Sequence, residues 1–154
     1  MTIRLTSSAF TEGSAIPTTH TCDGEDVSPP LAWSGIPEGT GSIALVADDP
    51  DAPRGTWVHW VLYAIPPEVT EIPGGLSDAK EISARAKHGN NDFKRPEYGG
   101  PCPPRGKAHR YFFKLYALDG EIELESGARK ADLLRAMEGH ILAEGRLMGT
   151  YRRE

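Results

Sequence analysis

Two imidazoles and a carboxylate, set beside proline-bracketed loops, are the residues of this chain best suited to chemistry. Asp49-Pro50-Asp51-Ala52-Pro53 leads into Trp57-Val58-His59-Trp60, and Gly100-Pro101-Cys102-Pro103-Pro104-Arg105-Gly106 leads into His109-Arg110-Tyr111. Proline fixes φ and removes a backbone donor, so neither bracket can be helix or central strand. Each is instead a preorganised loop that holds an imidazole at a strand mouth. A neutral imidazole offers one donor and one acceptor and a protonated one two donors, so His59 and His109 together would grip the oxygens of an anion. The competing reading makes each a core histidine satisfied by a carbonyl or carboxylate, and on spacing alone the two stand level. Asp49 and Asp51 are likewise either paired carboxylates for acid–base work or metal ligation, or turn residues bonded to their own backbone.

Other chemistries find less support. Residues 100–107 resemble a phosphate loop only superficially: Arg105 stands where its second glycine belongs, and Ala108 follows Lys107 in place of Ser or Thr. Prolines 101, 103 and 104 also delete the N–H groups such a loop aims at phosphates. No HExxH zinc motif and no GxSxG elbow occurs. Cys102 is the one candidate nucleophile near the histidines, which defines an alternative hydrolase reading with His59, His109 and Asp49, or with a metal; a small residue spacing the proline loop is the simpler account.

The elements that must position these groups read as strands. The 13 prolines and 17 glycines punctuate short apolar runs, a pattern that favours an all-β sandwich over a helical bundle. The clearest strands are 42–47, 57–65 and 110–118. In the second, Trp57, His59, Val61 and Tyr63 alternate with Val58, Trp60, Leu62 and Ala64, so both faces can be covered. In the third, His109, Tyr111, Phe113 and Leu115 share a face, which lets His109 and Tyr111 look into one pocket, while Arg110 projects oppositely as a structural ion-pair partner. One helix is expected over 130–142, from the recurrence of Leu133, Met137 and Ile141, and a second over 78–86. A short last strand then ends near Tyr151. An X-Pro bond reaches cis at a cost of only ~0.5–1 kcal/mol, so a cis-proline is expected before Pro53 or within Cys102-Pro103-Pro104.

The 154 residues suit a single domain, 1–154, with one sizeable core. A net charge of -5, with basic residues scattered among acids, argues against nucleic acid as a partner. No apolar run approaches the ~20 residues of a membrane span, and the first residues lack the apolar core of a signal peptide, so the protein is expected to be soluble and cytoplasmic. Cys22 and Cys102 are too few for a disulfide framework and are not spaced as a zinc pair, so reduced thiols are the expectation. Both lie in loops, which leaves a bridge open.

The two bracketed segments, together with Thr21-Cys22-Asp23-Gly24, Ser28-Pro29-Pro30-Leu31-Ala32-Trp33, Gly89-Asn90-Asn91-Asp92-Phe93 and the closing runs 139–143 and 149–151, resemble the phosphatidylethanolamine-binding proteins, in their bacterial and archaeal Raf kinase inhibitor-like branch. The resemblance covers nearly the whole chain. It implies a mainly antiparallel β-sandwich of Greek-key type with one or two peripheral helices. It also tips the imidazoles towards a ligand pocket of Asp49, Trp57, His59, Gly100, Pro104, His109 and Tyr111. Asp49 then forms the floor, Trp57 a wall, Tyr111 a hydroxyl donor, and Gly100 and Pro104 the rim, with Asp51 left to loop structure. The implied function is non-enzymatic binding of a small anion: phosphate, a phosphorylated small molecule or a phospholipid head group. No cofactor or metal is called for. A regulatory, kinase inhibitor-like role through a protein partner or phosphorylated residue is the natural extension, and bacterial relatives suggest a homodimer. Two departures stand out: His20 replaces the usual aromatic before Thr21, and the longer C-terminal tail of eukaryotic members is lacking, so the pocket should be more open.

Overall fold

Strand Ser42–Asp49 is buried at all eight of its positions, which only a strand paired on both edges and covered on both faces can be. In the computed structural model, which describes residues 2–154, this strand (β3) lies at the centre of a five-stranded sheet. Numbered in chain order, the strands are β1 (Arg4–Thr6), β2 (Leu31–Ser34), β3, β4 (Trp57–Ile65), β5 (Glu71–Ile72), β6 (Lys87–His88), β7 (His109–Leu118) and β8 (Ile141–Tyr151). The large sheet runs β6-β4-β3-β7-β8 and a small one runs β1-β2-β5, with all the named pairings antiparallel. Leu31 and Trp33 of the small sheet bury against Leu45, Trp60, Phe113 and Leu115 of the large one to make the sandwich core. On the other face of the large sheet, Val46, Val61 and Tyr63 are covered by Leu133 and Met137 of the helix α1 (Lys130–Met137).

The helix is shorter than its apolar periodicity predicts. Gly139 takes φ +81, the left-handed turn that ends helices, so Ile141 leaves the expected stripe and pairs with Leu118 as the first residue of an eleven-residue strand. The helix expected over 78–86 is only a 3-10 turn, Ala79–Glu81, capped by Asp78, whose side chain accepts from the Lys80 N–H. Ala79, Ile82 and Ala86 supply too little apolar volume to bury a longer helix against the core.

Strand β4 departs from simple alternation. Ala47 pairs with Trp60 and Asp48 with Val58, leaving His59 unpaired in a bulge. Trp60 therefore joins the sandwich core while Val58 and Val61 join the helix-covered face, and His59 turns to the same side as Trp60.

Every peptide bond among the described residues is trans, so the expected cis-proline does not occur. Trans is the lower state for X-Pro, and here the chain reverses at Gly55 and Gly106, with φ +112 and +124.

The outer edge of β8 is not left open. Ile3, Gly13 and Ile16 donate to the carbonyls of Glu144, Met148 and Thr150, and the Thr150 N–H returns to Ser14. The early chain thus lies along the last strand.

His88 is buried, and its Nε2 accepts from the Trp60 indole N–H at 3.0 Å, which requires an unprotonated nitrogen there. Burial lowers its pKa, as it does that of His59. Between the lowered folded value and the unfolded value of ~6.5, the unfolded chain holds a proton that the folded one refuses, so stability rises with pH across that window. Urea unfolding is expected to show stability falling as pH drops from about 7 to about 5. His88→Gln should flatten that fall, and an unchanged slope would show that His88 does not drive it.

Candidate functional site

Asp48 and Asp49 are consecutive at the end of β3, so alternation sends them to opposite faces. Asp48 meets Lys130 at 2.7 Å and Lys114 at 3.4 Å on the helix side. Asp49 faces the other way, where one carboxylate oxygen accepts from the Asp51 N–H at 2.7 Å and the other meets His109 Nδ1, also at 2.7 Å. His109 and Tyr111 follow one another on one face of β7. Asp51 is bound bidentately by the Arg110 guanidinium and also accepts the Arg110 N–H, all at 2.9 Å. That pairing holds the Asp51 carboxyl down to about 2 and keeps the 50–56 loop in place, the structural role expected for both residues.

The bulge presents His59 to the same cavity. Its Nδ1 contacts the Gly99 carbonyl at 2.7 Å, and Gly99 N–H donates back to the His59 carbonyl at 2.9 Å. A carbonyl only accepts, so the proton sits on Nδ1 and Nε2 is left as a free acceptor. Burial lowers the His59 pKa, with Gly99 and Asp49 opposing it, which keeps the ring neutral near pH ~7. The Tyr111 ring stands edge-on to His59 at 5.2 Å. Its hydroxyl is buried beside Asp49 but makes no aligned hydrogen bond to it or to any other group among the described residues. Burial first, then the Asp49 charge, pushes the Tyr111 pKa far up, so this hydroxyl remains a donor.

The structure brings Asp49, Trp57, His59, Pro104, His109 and Tyr111 to one cavity of about 230 Å³. Gly100 does not line it. It lies behind the wall, its N–H donating to the Asp26 carboxylate at 2.8 Å, where a Cβ would overlap that carboxylate and the His20 carbonyl. Phe93 is the principal wall residue that sequence reasoning did not single out; its ring is 5.5 Å from both Trp57 and His59. The Asn91 side chain sets it there, accepting from the Phe93 and Arg95 N–H groups and donating to the Glu97 carbonyl. An Asn two residues before an aromatic was the available sign of such a side-chain-built turn.

Cys22 and Cys102 form a disulfide, against the expectation of reduced thiols. The cause is proximity imposed by the fold: Cys22 N–H donates to the Pro101 carbonyl, which lays the two loops together. The sulfur of Cys102 is thereby committed, and the thiol nucleophile of the hydrolase alternative is absent from this state. No cluster of three or more metal-ligating side chains occurs among the described residues. No helix there is long and apolar enough to cross a membrane.

Residues 6–152 match the family model for phosphatidylethanolamine-binding protein. A UPF0098 protein of Methanothermobacter thermautotrophicus is 50% identical over 151 residues, covering 98% of this chain and 99% of the relative. Among solved structures, a phosphatidylethanolamine-binding protein homologue from Chlamydia trachomatis, CT736, superimposes with a TM-score of 0.91 at 40% identity, covering 99% of both chains. YbcL of E. coli, described as a member of the mammalian family, gives 0.91 at 34% identity over 100% of both.

The unpartnered Tyr111 hydroxyl makes a stability prediction. A buried donor without an acceptor costs ~1–3 kcal/mol, so Tyr111→Phe should leave the unliganded protein as stable as before or more so in urea unfolding. A loss of about 1 kcal/mol or more would show that the hydroxyl is bonded in the folded state.

Proposed function

The chain belongs to the phosphatidylethanolamine-binding protein family, and from that premise we propose that the Asp49–His59–His109–Tyr111 cavity binds a small oxyanion, as inorganic phosphate, a phosphorylated small molecule or a phospholipid head group. The observation that carries this reading is the buried Tyr111 hydroxyl, which lies beside Asp49 without an aligned hydrogen bond to it, next to two imidazoles whose Nδ1 atoms are both taken. An anion oxygen supplies the missing acceptor. Each ring has only Nε2 left to offer, and protonation converts that nitrogen from acceptor to donor.

Neither lysine nor arginine lines the cavity, so the positive charge that an anion needs has to arrive as protons on the histidines or on the ligand itself. An anion beside His59 favours its charged form and raises its lowered pKa, so binding draws in a proton. Binding without turnover suits the wall chemistry: the Cys102 sulfur is bridged, and no serine or threonine lines the cavity. Presentation of the phosphate by a protein partner, as a phosphorylated side chain, is the regulatory form of the same recognition.

Calorimetric titration with inorganic phosphate tests this. Affinity should be higher near pH ~6 than near pH ~8, with net proton uptake read from buffers of different ionisation enthalpy. His59→Ala and His109→Ala should each weaken binding by about tenfold to a hundredfold, the worth of a charge-assisted hydrogen bond of ~1.5–3 kcal/mol. Unchanged affinity in both variants would remove the histidines from the site.

A further inference from the structure

The disulfide is placed where it can do more than staple the fold. Cys102 is exposed and, with Pro103 and Pro104, forms one wall of the cavity. Pro103 and Pro104 have no N–H to donate, and no backbone hydrogen bond is formed by residues 102–105 among the described residues. The loop is fixed at its two ends, where Pro101 accepts from Cys22 N–H and Gly106 N–H donates to the Arg153 carbonyl. The Arg105 guanidinium, also bonded to the Glu154 carbonyl, reaches out from the loop and does not hold its cavity side. Between those ends the bridge to Cys22 is the covalent tie on the wall, beside the packing of the buried Pro103 ring.

The other end of the bridge is a fixed post. Thr21 donates its hydroxyl to the Thr18 carbonyl at 2.8 Å, and the Asp23 carboxylate takes the Tyr151 hydroxyl at 2.6 Å and Arg153 at 3.2 Å. Cutting the bond therefore leaves the post in place and frees the wall.

We propose that the Cys22–Cys102 disulfide is a site of thiol–disulfide exchange with a dithiol reductant, and that its reduction loosens the 102–104 wall and weakens ligand binding in the adjoining cavity. The second half rests on the oxyanion reading above. In the exchange, a thiolate of the reductant attacks the sulfur of Cys102, the more exposed residue of the pair, and forms a mixed disulfide, and Cys22 leaves as thiolate. The reductant's second thiol then attacks the mixed disulfide through its own sulfur, releasing Cys102 as thiolate and closing the reductant's own disulfide; the two protons end on Cys22 and Cys102. Two electrons pass to the protein and the dithiol is oxidised. Because coupling between two equilibria at one wall is reciprocal, phosphate in the cavity should in turn shift the exchange equilibrium towards the disulfide.

The experiment treats the full chain with a small dithiol such as dithiothreitol and follows three readouts: free-thiol appearance, NMR-resolved amide exchange at Cys22 and Gly106, and phosphate affinity by calorimetry. Expected are thiol release without loss of cooperative urea unfolding, faster exchange at both amides, and affinity weaker by about tenfold, reproduced by the Cys22→Ser/Cys102→Ser double variant. If thiols appear only when urea unfolds the protein, the exchange site is refuted. Unchanged exchange and unchanged affinity after reduction would refute the loosened wall. If the oxidised protein itself binds no phosphate, the oxyanion reading fails, while thiol release and the two amides still decide the tether.

Discussion

Two consecutive carboxylates buried at the end of the central strand impose the constraint around which the rest of the molecule is arranged. A buried carboxylate is costly unless paired and hydrogen-bonded, and Asp48 and Asp49 are both almost wholly shielded from solvent. Because strand neighbours point to opposite faces, one constraint becomes two anchors. Asp48 draws Lys130, and with it the first turn of α1, onto the outer face of the sheet. Asp49 draws His109 and the turn at Asp51 onto the inner face, where the cavity opens. The packing of the helix and the geometry of the pocket thus share one strand terminus.

Much of this was legible in the sequence because it follows from alternation and from turn chemistry. The runs at 57–65 and 110–118 carried their strand character openly, and the placing of His109 with Tyr111 on one face needed only a period of two. What escaped is what a local pattern does not encode. The bulge at His59 breaks the alternation through its register against β3, so the expected face of Trp57, His59, Val61 and Tyr63 is split by the pairing with a second strand rather than by any pattern within 57–65. The helix stripe of Leu133 and Met137 was real, but Ile141 matched its period by coincidence and answers instead to Leu118. The cysteine pair is 80 residues apart and meets only because two irregular loops are folded together. Gly100, marked for the rim, serves one layer deeper, as the gap through which the Asp26 carboxylate reaches the wall.

The cavity is richer in acceptors than a site for an anion would first suggest. Burial favours the neutral form of His59, the Asp49 carboxyl contacts His109 Nδ1, and the Tyr111 hydroxyl is a donor that needs no titration. Such a lining discriminates by protonation state as much as by shape. On the proposed oxyanion reading, the favoured group is one that both accepts from Tyr111 and brings or recruits a proton for the imidazoles, which a permanent ring of lysines and arginines would not require.

The covering of β8 by the early chain has a consequence for how the molecule is made. Residues 3–16 are synthesised well before the strand whose carbonyls they bond, Ile141–Tyr151. Until it emerges, that opening segment has no native seat, and the sandwich waits with one margin unsealed. When β8 adds to β7, its bare edge exists only briefly before the waiting segment lies down along it. The order of synthesis thereby shortens the time in which a neighbouring nascent chain could pair there instead.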